Sequence, residues 1–136
     1  MDFEVVGRLN SEQIKTLHEM YQLEWWTKER TLTDVQIMLD NSDVIVAFVE
    51  GKDKEITAFA RILTDYVYKA IIFDVIVKAS YRGRHLGNEL MNTIIEHPSL
   101  SKVKHFELYC RPEMIPFYEK WGFTKDLGEL HFMRRR

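Results

Sequence analysis

The sequence has a single cysteine among 136 residues and no long apolar run. One cysteine cannot form a disulfide framework or a cysteine-based structural metal site. No apolar stretch approaches the roughly 18 residues that a membrane-spanning helix needs. The first four residues, Met-Asp-Phe-Glu, are acidic where a signal peptide would be cationic. These absences predict a protein of the cytoplasm, a reducing compartment, with no membrane partner.

The sequence also lacks an excess of charge of either sign, because 19 Lys and Arg stand against 21 Asp and Glu, for a net charge of −2. A nearly neutral chain has no strong field to attract nucleic acid or an anionic membrane surface. The arginines at 134–136 form the one basic cluster, and we interpret them as a solvated tail. Since there is no repeat and no Pro/Gly/Ser-rich linker, residues 1–136 are expected to form a single domain.

What the sequence does contain is a regular alternation of strand and helix patterns. Apolar residues at helical spacing indicate helices, and short apolar runs between turn residues indicate strands. The predicted elements are a strand over 3–9, a helix over 11–25, a helix capped by Thr31 or Thr33, strands over 44–49, 56–63 and 68–77, a helix over 86–97, a strand over 104–109, a helix from Pro112 to about Trp121, and irregular or strand structure over 123–133. This order predicts an α/β (α+β) fold with a mixed, mostly antiparallel sheet flanked by helices.

The most informative stretch runs from the apolar strand at 71–77 through a glycine-bearing hexapeptide into the next helix. The hexapeptide is Arg82-Gly83-Arg84-His85-Leu86-Gly87. A turn of this kind presents backbone N–H groups at the positive end of a helix dipole, where phosphate binds. The two arginines add charge for a polyanionic ligand. The alternative interpretation is that the glycines only make a tight turn.

Two segments together resemble the GNAT superfamily of acetyl-CoA-dependent N-acetyltransferases. Residues 82–87 resemble the family signature Arg/Gln-x-x-Gly-x-Gly/Ala, which follows the fourth strand in the family as it does here. Residues 116–123, Pro-Phe-Tyr-Glu-Lys-Trp-Gly-Phe, resemble the family segment Leu-Tyr-Glu-Lys-Leu-Gly-Phe. The resemblance covers residues 71–123. It implies the GNAT fold, in which the strands at 71–78 and 104–109 splay apart to admit the pantetheine arm of the cofactor.

The resemblance implies that acetyl-CoA is bound with its pyrophosphate in the loop. The implied cofactor-binding residues are Val75, Ile76 and Val77 on the strand, Arg82, Gly83, Arg84, His85, Leu86 and Gly87 in the loop, and Arg111. The N–H of Val75 or Val77 is implied to polarise the thioester carbonyl. Two residues depart from the family pattern, since His85 replaces a glycine and Arg111 replaces a frequent asparagine. If the backbone at position 85 needs a positive φ, histidine costs about 1 kcal/mol there.

Tyr118 is the residue that the resemblance implies as the catalytic acid, which protonates the departing CoA thiolate. A neutral phenol, with an ordinary pKa of about 10, can donate a proton at pH 7. The alternative is a core aromatic residue on an amphipathic helix, because Phe117 and Trp121 flank Tyr118.

Asp74 is the second catalytic candidate, because it interrupts an apolar strand. A buried carboxylate must be paired, protonated or directed into a site. In a site it would attract an ammonium substrate or, with a pKa raised by burial, accept the proton of the amine. The alternative is a structural pair with Arg61, Arg111 or Lys69. Glu107 on the next strand is another candidate base, and we expect it to pair on a half-exposed face.

Trp25 and Trp26, at the end of the first predicted helix, fall in the region that lines the acceptor side in the family. They would suit an apolar or aromatic amine, and the alternative is that they cover the hydrophobic core. We expect Cys110 to pack in the interior rather than act as a nucleophile, since the sequence places no histidine beside it.

Together these features predict an enzyme that transfers an acetyl group from acetyl-CoA to a primary amine, by direct attack in a ternary complex. The acceptor is expected to be a small-molecule amine, with a peptide or protein amine left open. No His, Asp and Glu residues have metal-ligand spacing, so no metal is expected. A homodimer is left open as the oligomeric state. The alternative function is a CoA-binding sensor or scaffold of the same fold, without turnover.

Overall fold

The computed structural model describes residues 3–136, in which short turns join five strands and four α-helices. The strands are β1 (Glu4–Val6), β2 (Val44–Glu50), β3 (Glu55–Thr64), β4 (Lys69–Val77) and β5 (His105–Glu107). The helices are α1 (Ser11–Gln22), α2 (Leu32–Asp40), α3 (Leu86–Ile95) and α4 (Ile115–Glu119). The order of elements agrees with the prediction as far as α4. Residues 123–133, predicted as irregular or strand, are irregular.

The five strands form one sheet in the order β1-β2-β3-β4-β5. The first four strands pair antiparallel, and β5 pairs parallel to β4. A parallel pair needs a crossover connection, which α3 provides. The prediction of a mixed, mostly antiparallel sheet flanked by helices is therefore confirmed.

β4 and β5 pair over only three residues each. Lys69 lies opposite His105 and Ile71 lies opposite Glu107. Beyond this point β4 continues to Val77 with no described strand on that side. Backbone groups freed from a sheet in this way need other hydrogen-bond partners. The sheet therefore opens beside the second half of β4, at the end from which the chain enters α3.

Helices cover both faces of the sheet and bury an apolar core on each. On the face of α1 and α2 the buried side chains are Leu17, Met20, Tyr21, Val35, Leu39, Ala47, Val49, Ile56, Phe59 and Ile76. On the face of α3 and α4 they are Val44, Val46, Phe48, Ala58, Ala60, Ile62, Ala70, Ile72, Leu86, Leu90, Met91, Ile94, Leu100 and Tyr118. Tyr118 and α3 thus share one side of the sheet.

The first two helices begin at polar caps. The Asn10 side chain accepts the N–H of Gln13 at 2.8 Å, and the Gln13 side chain accepts the N–H of Asn10 at 2.9 Å, so α1 starts with a capping box. The Thr31 hydroxyl accepts the N–H of Asp34 at 3.1 Å and starts α2. Of the two threonines predicted as caps of α2, the structure selects Thr31.

α1 ends three residues earlier than predicted. The hydroxyl of Thr27 donates to the carbonyl oxygen of Tyr21 at 2.8 Å. In a longer helix this oxygen would accept the N–H of Trp25, so the contact ends the helical ladder and stabilises the turn over 23–29. Trp25 and Trp26 therefore lie in a loop, and the prediction of Trp25 as a helical residue is wrong.

Candidate active site

The loop between β4 and α3 contains two residues with positive φ just before the helix begins. The backbone φ is 81° at Gly83 and 62° at His85. His85 precedes Leu86 as the cap of α3, but its side chain makes no capping hydrogen bond. The first N–H groups of α3 therefore have no side-chain partner from the cap. Together with the helix dipole, they can bind an anion.

His85 replaces glycine at a position where glycine would be unstrained. The φ of His85 lies in the left-handed region, which costs a histidine about 1 kcal/mol relative to glycine. The side chain is exposed. Strain of this kind persists at sites where the surrounding structure holds the backbone in place.

A cleft with a volume of about 290 Å³ lies against this loop. Its lining residues are Val77, Tyr81, Arg82, Gly83, His85, Leu86, Gly87, Asn88, Phe117 and Lys120. A Cβ atom on Gly87 would lie 3.4 Å from the Phe117 ring, so the loop and α4 approach each other closely here. The cleft thus brings together the two sequence segments that carry the family resemblance.

The two arginines of the loop have contacts of different kinds. The Arg82 Nε donates to the carbonyl oxygen of Val77 at 3.2 Å, and its guanidinium forms an ion pair with Glu24. The guanidinium carbon of Arg84 lies 4.8 Å from the centre of the Tyr81 ring. Both arginines are exposed, so both guanidinium groups can turn toward a bound phosphate.

Two of the predicted cofactor-binding residues have side chains in the core. Ile76 and Leu86 are each 4% exposed and belong to opposite faces of the sheet. These two residues can therefore offer only backbone atoms to a ligand.

Tyr118 lies in the core beside α3. It is 8% exposed, and its ring packs edge-to-face on Phe117 and Phe123. No side-chain hydrogen bond in the described part of the chain involves its hydroxyl, and no fully buried side-chain nitrogen or oxygen there lacks a partner. The hydroxyl therefore keeps some contact with solvent. Burial, and to a smaller extent a charge on Cys110, raises the pKa of Tyr118 to about 12, so the phenol is protonated at pH 7.

Asp74 is paired on the face of α1 and α2, where its side chain is 4% exposed. The Arg30 guanidinium lies 2.6 Å from its carboxylate, the Arg61 Nε lies 2.9 Å away, and the Tyr21 hydroxyl lies 3.0 Å away. The predicted pair with Arg61 is present. The contacts with Arg30 and Tyr21 are additional.

The contacts of Asp74 favour its charged form. Burial favours the neutral carboxyl group, but hydrogen bonds from Arg30 and Arg61 outweigh it and hold the pKa of Asp74 below its ordinary value. The pKa raised by burial, on which the role of Asp74 as a base was made to depend, is therefore not found. The geometry favours the structural pair, and a role of Asp74 as the base stays a prediction.

The two tryptophans of the predicted acceptor side lie on the surface. Trp25 is 66% exposed and Trp26 is 41% exposed, which does not fit the alternative that they cover the core. The guanidinium carbon of Arg111 lies 5.0 Å from the centre of the Trp25 ring, and its Nε lies 3.0 Å from a carboxylate oxygen of Glu113. The structure thus brings Arg111 to the loop of the tryptophans rather than to the lining of the cleft.

Glu107 and Cys110 stand at the end of β5. The Lys69 Nζ lies 2.9 Å from a carboxylate oxygen of Glu107, and both side chains are about half exposed, as predicted. Cys110 is exposed, so the prediction that it packs in the interior is wrong. The physical reason is that β5 ends at Glu107, and the chain leaves the sheet before it reaches Cys110.

Sequence reasoning missed Glu24, Arg30 and Lys120. Glu24 and Arg30 lie in the irregular loop after α1. A loop has no periodic sequence pattern, so the sequence does not indicate which of its side chains contact another strand or loop. Lys120 lines the cleft, and its Nζ lies 2.9 Å from the Asn88 side-chain oxygen. The signal for Lys120 was its position one helical turn after Phe117, on the segment that resembles the family.

Comparison with known families gives the class of this protein. The acetyltransferase (GNAT) family pattern matches residues 11–123. The chain belongs to the GNAT family. The resemblance stated from the loop and the second segment is therefore confirmed.

Known N-acetyltransferases share sequence with this chain. An uncharacterized N-acetyltransferase of Pyropia yezoensis is 32% identical over 123 residues, which cover 87% of this chain and 70% of that protein. A chloroplastic GCN5-related N-acetyltransferase of Arabidopsis thaliana is 31% identical over 97 residues, which cover 71% of this chain and 49% of that protein. The matched part of the chain thus spans between 49% and 70% of the length of these two relatives.

A solved structure shows the same fold. The crystal structure of a GNAT-family protein from Xanthomonas campestris pv. campestris matches with a TM-score of 0.83 and 28% identity, over all of this chain and 94% of that one.

Within residues 3–136, no three His, Cys, Asp or Glu side chains are grouped to hold a metal ion. No helix in that range is long and apolar enough to cross a membrane.

Proposed function

We propose that this chain is an acetyl-CoA-dependent N-acetyltransferase that acts on a primary amine by direct attack in a ternary complex. Membership of the GNAT family and relatives named N-acetyltransferases support acyl transfer. The observation that carries the proposal is the cleft at the start of α3, where N–H groups without a side-chain cap lie beside the cations Arg82 and Lys120. This arrangement suits a ligand with a pyrophosphate group.

The residues of the cleft fit coenzyme A. A Cβ on Gly83 would meet nothing within 4 Å, so the backbone there is open to a close approach. We assign the pyrophosphate to the N–H groups of residues 83–87 and to Arg82 and Arg84. We assign the pantetheine arm to the free edge of β4 beyond Ile71. Acetyl-CoA, when bound, supplies the acetyl group as an activated thioester.

Val75 and Val77 both lie on the part of β4 that has no neighbour in β5. Val77 lies in register with Ala58 of β3, and Val75 lies where the register between β3 and β4 is interrupted. We assign the polarising hydrogen bond to the N–H of Val75, because such an interruption bends the strand and redirects its groups. Such a donor stabilises the negative charge that develops on the carbonyl oxygen as the amine attacks.

Tyr118 would complete the reaction as the general acid. Its hydroxyl is protonated at pH 7, since the pKa of Tyr118 is raised to about 12. The hydroxyl need not break a side-chain hydrogen bond before it donates its proton. It donates its proton to the sulfur as the carbon–sulfur bond breaks, and the amine keeps the acetyl group. Because Asp74 and Glu107 are both engaged by cations, we assign removal of the amine proton to water.

The acceptor would bind beside the loop after α1. The exposed Trp25 ring, with the Arg111 guanidinium above it, offers an aromatic surface near the end of β5. Such a surface suits the apolar or aromatic part of an amine, and it is open enough for a peptide amine as well. The cytoplasm as the compartment stays a prediction, although the Arabidopsis relative is chloroplastic, and the homodimer stays open.

The alternative function, a CoA-binding sensor without turnover, gains no support from the comparisons, because the relatives described above are named N-acetyltransferases. Binding and turnover must still be measured separately, since a sensor would pass a binding test.

The cofactor assignment is tested by thermal denaturation with acetyl-CoA. A ligand that binds only the folded state stabilises it by about 2.7 kcal/mol at 100 times its Kd, so the Tm should rise. Gly87→Glu should abolish the rise, because it places a carboxylate at the phosphates, while its Cβ meets only the Phe117 ring at 3.4 Å. Ser101→Glu, which adds the same charge at an exposed turn, should keep it. No rise for the wild type at a millimolar concentration would contradict the proposal.

A further inference from the structure

β4 carries one more residue than β3 where the two strands pair. Phe59 lies opposite Ile76, and Arg61 lies opposite Phe73. One residue of β3 therefore faces residues 74–75 of β4, which form a β-bulge. The bulge lies on the part of β4 that has no neighbour in β5, so no strand pairs with it on that side.

Asp74 is the first residue of this bulge, and its backbone φ is 58°. A residue other than glycine costs about 1 kcal/mol in this region. When the first bulge residue has a positive φ, it is commonly glycine. Such strain persists only where surrounding contacts hold the residue. The contacts of the Asp74 side chain must therefore hold the backbone in a conformation that aspartate does not prefer.

The contacts of the Asp74 carboxylate come from three elements. Arg30, in the loop after α1, donates to both oxygens, at 2.6 Å and 3.2 Å. Arg61 of β3 donates at 2.9 Å, and the Tyr21 hydroxyl of α1 donates at 3.0 Å. We call these four residues the Asp74 cluster. Burial and, next, the Asp74 charge raise the pKa of Tyr21, so its hydroxyl keeps the proton that it donates.

Arg30 is itself held in place. Its carbonyl oxygen accepts a hydrogen bond from the Gln22 side chain at 2.9 Å and lies 3.0 Å from the His18 Nε2. Its guanidinium carbon lies 4.7 Å from the centre of the Tyr21 ring. The cluster is therefore anchored to α1 at more than one point, which limits movement of the carboxylate and of the bulge.

A buried group of charges is weak evidence of a stabilising role, because well-packed apolar side chains are often as stable. However, the carboxylate accepts four hydrogen bonds, and their directions together restrict its position and orientation. The cluster therefore gives geometric definition to the bulge more than it gives stability.

We propose that the Asp74 cluster positions the reaction, by fixing the bulge so that the N–H of Val75 meets the thioester carbonyl. This inference rests on the proposed function. Asp74 is then a positioning residue, which acts through its own backbone and touches no reactant. The hydrogen-bond donor is in place before the substrate arrives, so it needs no reorganisation during the reaction.

The sharpest test compares Asp74→Gly with Asp74→Ala. Both variants lose the carboxylate and leave the same arginines unpaired. Glycine adopts a positive φ without strain, whereas alanine does not. A positioning role predicts that kcat falls about 100-fold in Asp74→Ala and only about 10-fold in Asp74→Gly, with the Kd of acetyl-CoA nearly unchanged in both. Equal kcat values in the two variants would overturn the proposal.

Tyr21→Phe tests the cluster without changing Asp74. The expected result is a kcat about 10-fold lower at every pH, at a temperature well below the Tm, with a shifted amide NMR signal of Val75. Tyr66→Phe is the matched control, since it removes a hydroxyl that donates to the Asp43 carbonyl at 3.2 Å outside the cluster. This control should keep the kcat and the Val75 signal of the wild type.

Two results for Tyr21→Phe would contradict the proposal. A wild-type kcat with only a lower Tm would show that the cluster is structural. A loss confined to low pH, with the acid limb of the profile moved upward, would show that Asp74 is the base. Failure of the proposed function would look different, because the wild type itself would then release no CoA thiol. In that case the Val75 signal still decides whether the cluster fixes the bulge.

Discussion

Glu24, in the loop after α1, forms an ion pair with Arg82, in the loop before α3. The Glu24 side chain is 21% exposed and that of Arg82 is 54% exposed, so the pair lies at the surface. It joins the loop proposed for the acceptor side to the loop proposed for the pyrophosphate. Since a phosphate would compete with the carboxylate for the same guanidinium, cofactor binding should weaken this pair.

Removal of the Glu24 charge should therefore tighten cofactor binding. Surface ion pairs contribute about 0.2–1 kcal/mol, so Glu24→Gln should lower the Kd of acetyl-CoA by up to about fivefold. The difference should shrink at high salt, because screening weakens the pair. Isothermal titration at two ionic strengths measures both effects. Glu12→Gln, which removes an exposed acid of α1, is the control, and an equal gain in both variants would refute the competition.

Tyr118→Phe should lower kcat and spare cofactor binding. The change removes one hydroxyl and almost no volume, so the Tm should change little. Loss of general acid catalysis predicts a decrease in kcat of roughly 10²–10⁴-fold with little change in the KM of acetyl-CoA. Steady-state kinetics across pH measure this split.

The pH dependence gives Tyr118 a second check. Because its pKa is raised to about 12, the phenol of the wild type stays protonated well above pH 10. Ionisation of Tyr118 should therefore not reduce activity below that pH. Leaving thiolates of lower pKa should depend less on the hydroxyl. Wild-type turnover by Tyr118→Phe at all pH values would leave Tyr118 as a core aromatic residue and water as the proton source.

Asp74→Asn should destabilise the fold in a pH-dependent way. The pKa of Asp74 is lowered in the folded protein, so its charged form favours folding. The stabilisation is present above the unfolded pKa of about 3.9 and is lost as the pH falls through the lower folded value. The free energy of unfolding should thus fall by about 3 kcal/mol at pH 7, with a smaller difference below about pH 4.

Urea denaturation of the wild type and Asp74→Asn at several pH values measures this difference. Asp53→Asn, in the exposed turn between β2 and β3, is the control and should change the free energy of unfolding by less than about 0.5 kcal/mol. A difference between wild type and Asp74→Asn that stays constant from pH 7 to pH 3 would show that the charge of Asp74 is not the cause.

Activity should survive EDTA. The proposed chemistry uses a backbone N–H and a phenol, and the described residues hold no group of three metal-ligating side chains. Turnover measured before and after dialysis against EDTA should be equal. A loss that one added divalent metal restores would show that the mechanism is wrong.

The candidate cofactor loop could be located from the sequence because its signal is local. The hexapeptide at 82–87 carries its glycines, its arginines and the start of α3 within a few residues, and the second segment reaches the same cleft through a helix of regular pattern. The order of the strands was also predictable from the sequence, since short turns join neighbouring antiparallel strands and a helix connects β4 to the parallel strand β5.

The contacts of Asp74 were only partly predictable. Arg61 lies on the adjacent strand, so a pair with it follows from the hairpin. Arg30 lies 44 residues away in an irregular loop, where packing alone decides which element it reaches. The early end of α1 likewise depends on one hydroxyl, that of Thr27, for which the helical pattern has no signal. Positive φ at Asp74 follows from the bulge, which an apolar run does not reveal.

The most direct test of the proposed function is acetyl transfer itself. Wild-type protein is incubated with acetyl-CoA and a panel of small primary amines, with aromatic and apolar members, and CoA thiol is measured together with the acetylated amine. An acetyltransferase should form both products in equal amounts, only when an amine is present, and Tyr118→Phe should form them roughly 10²–10⁴-fold more slowly. Acetyl-CoA binding by the wild type with no thiol released for any amine would contradict the proposed function and indicate a binding module.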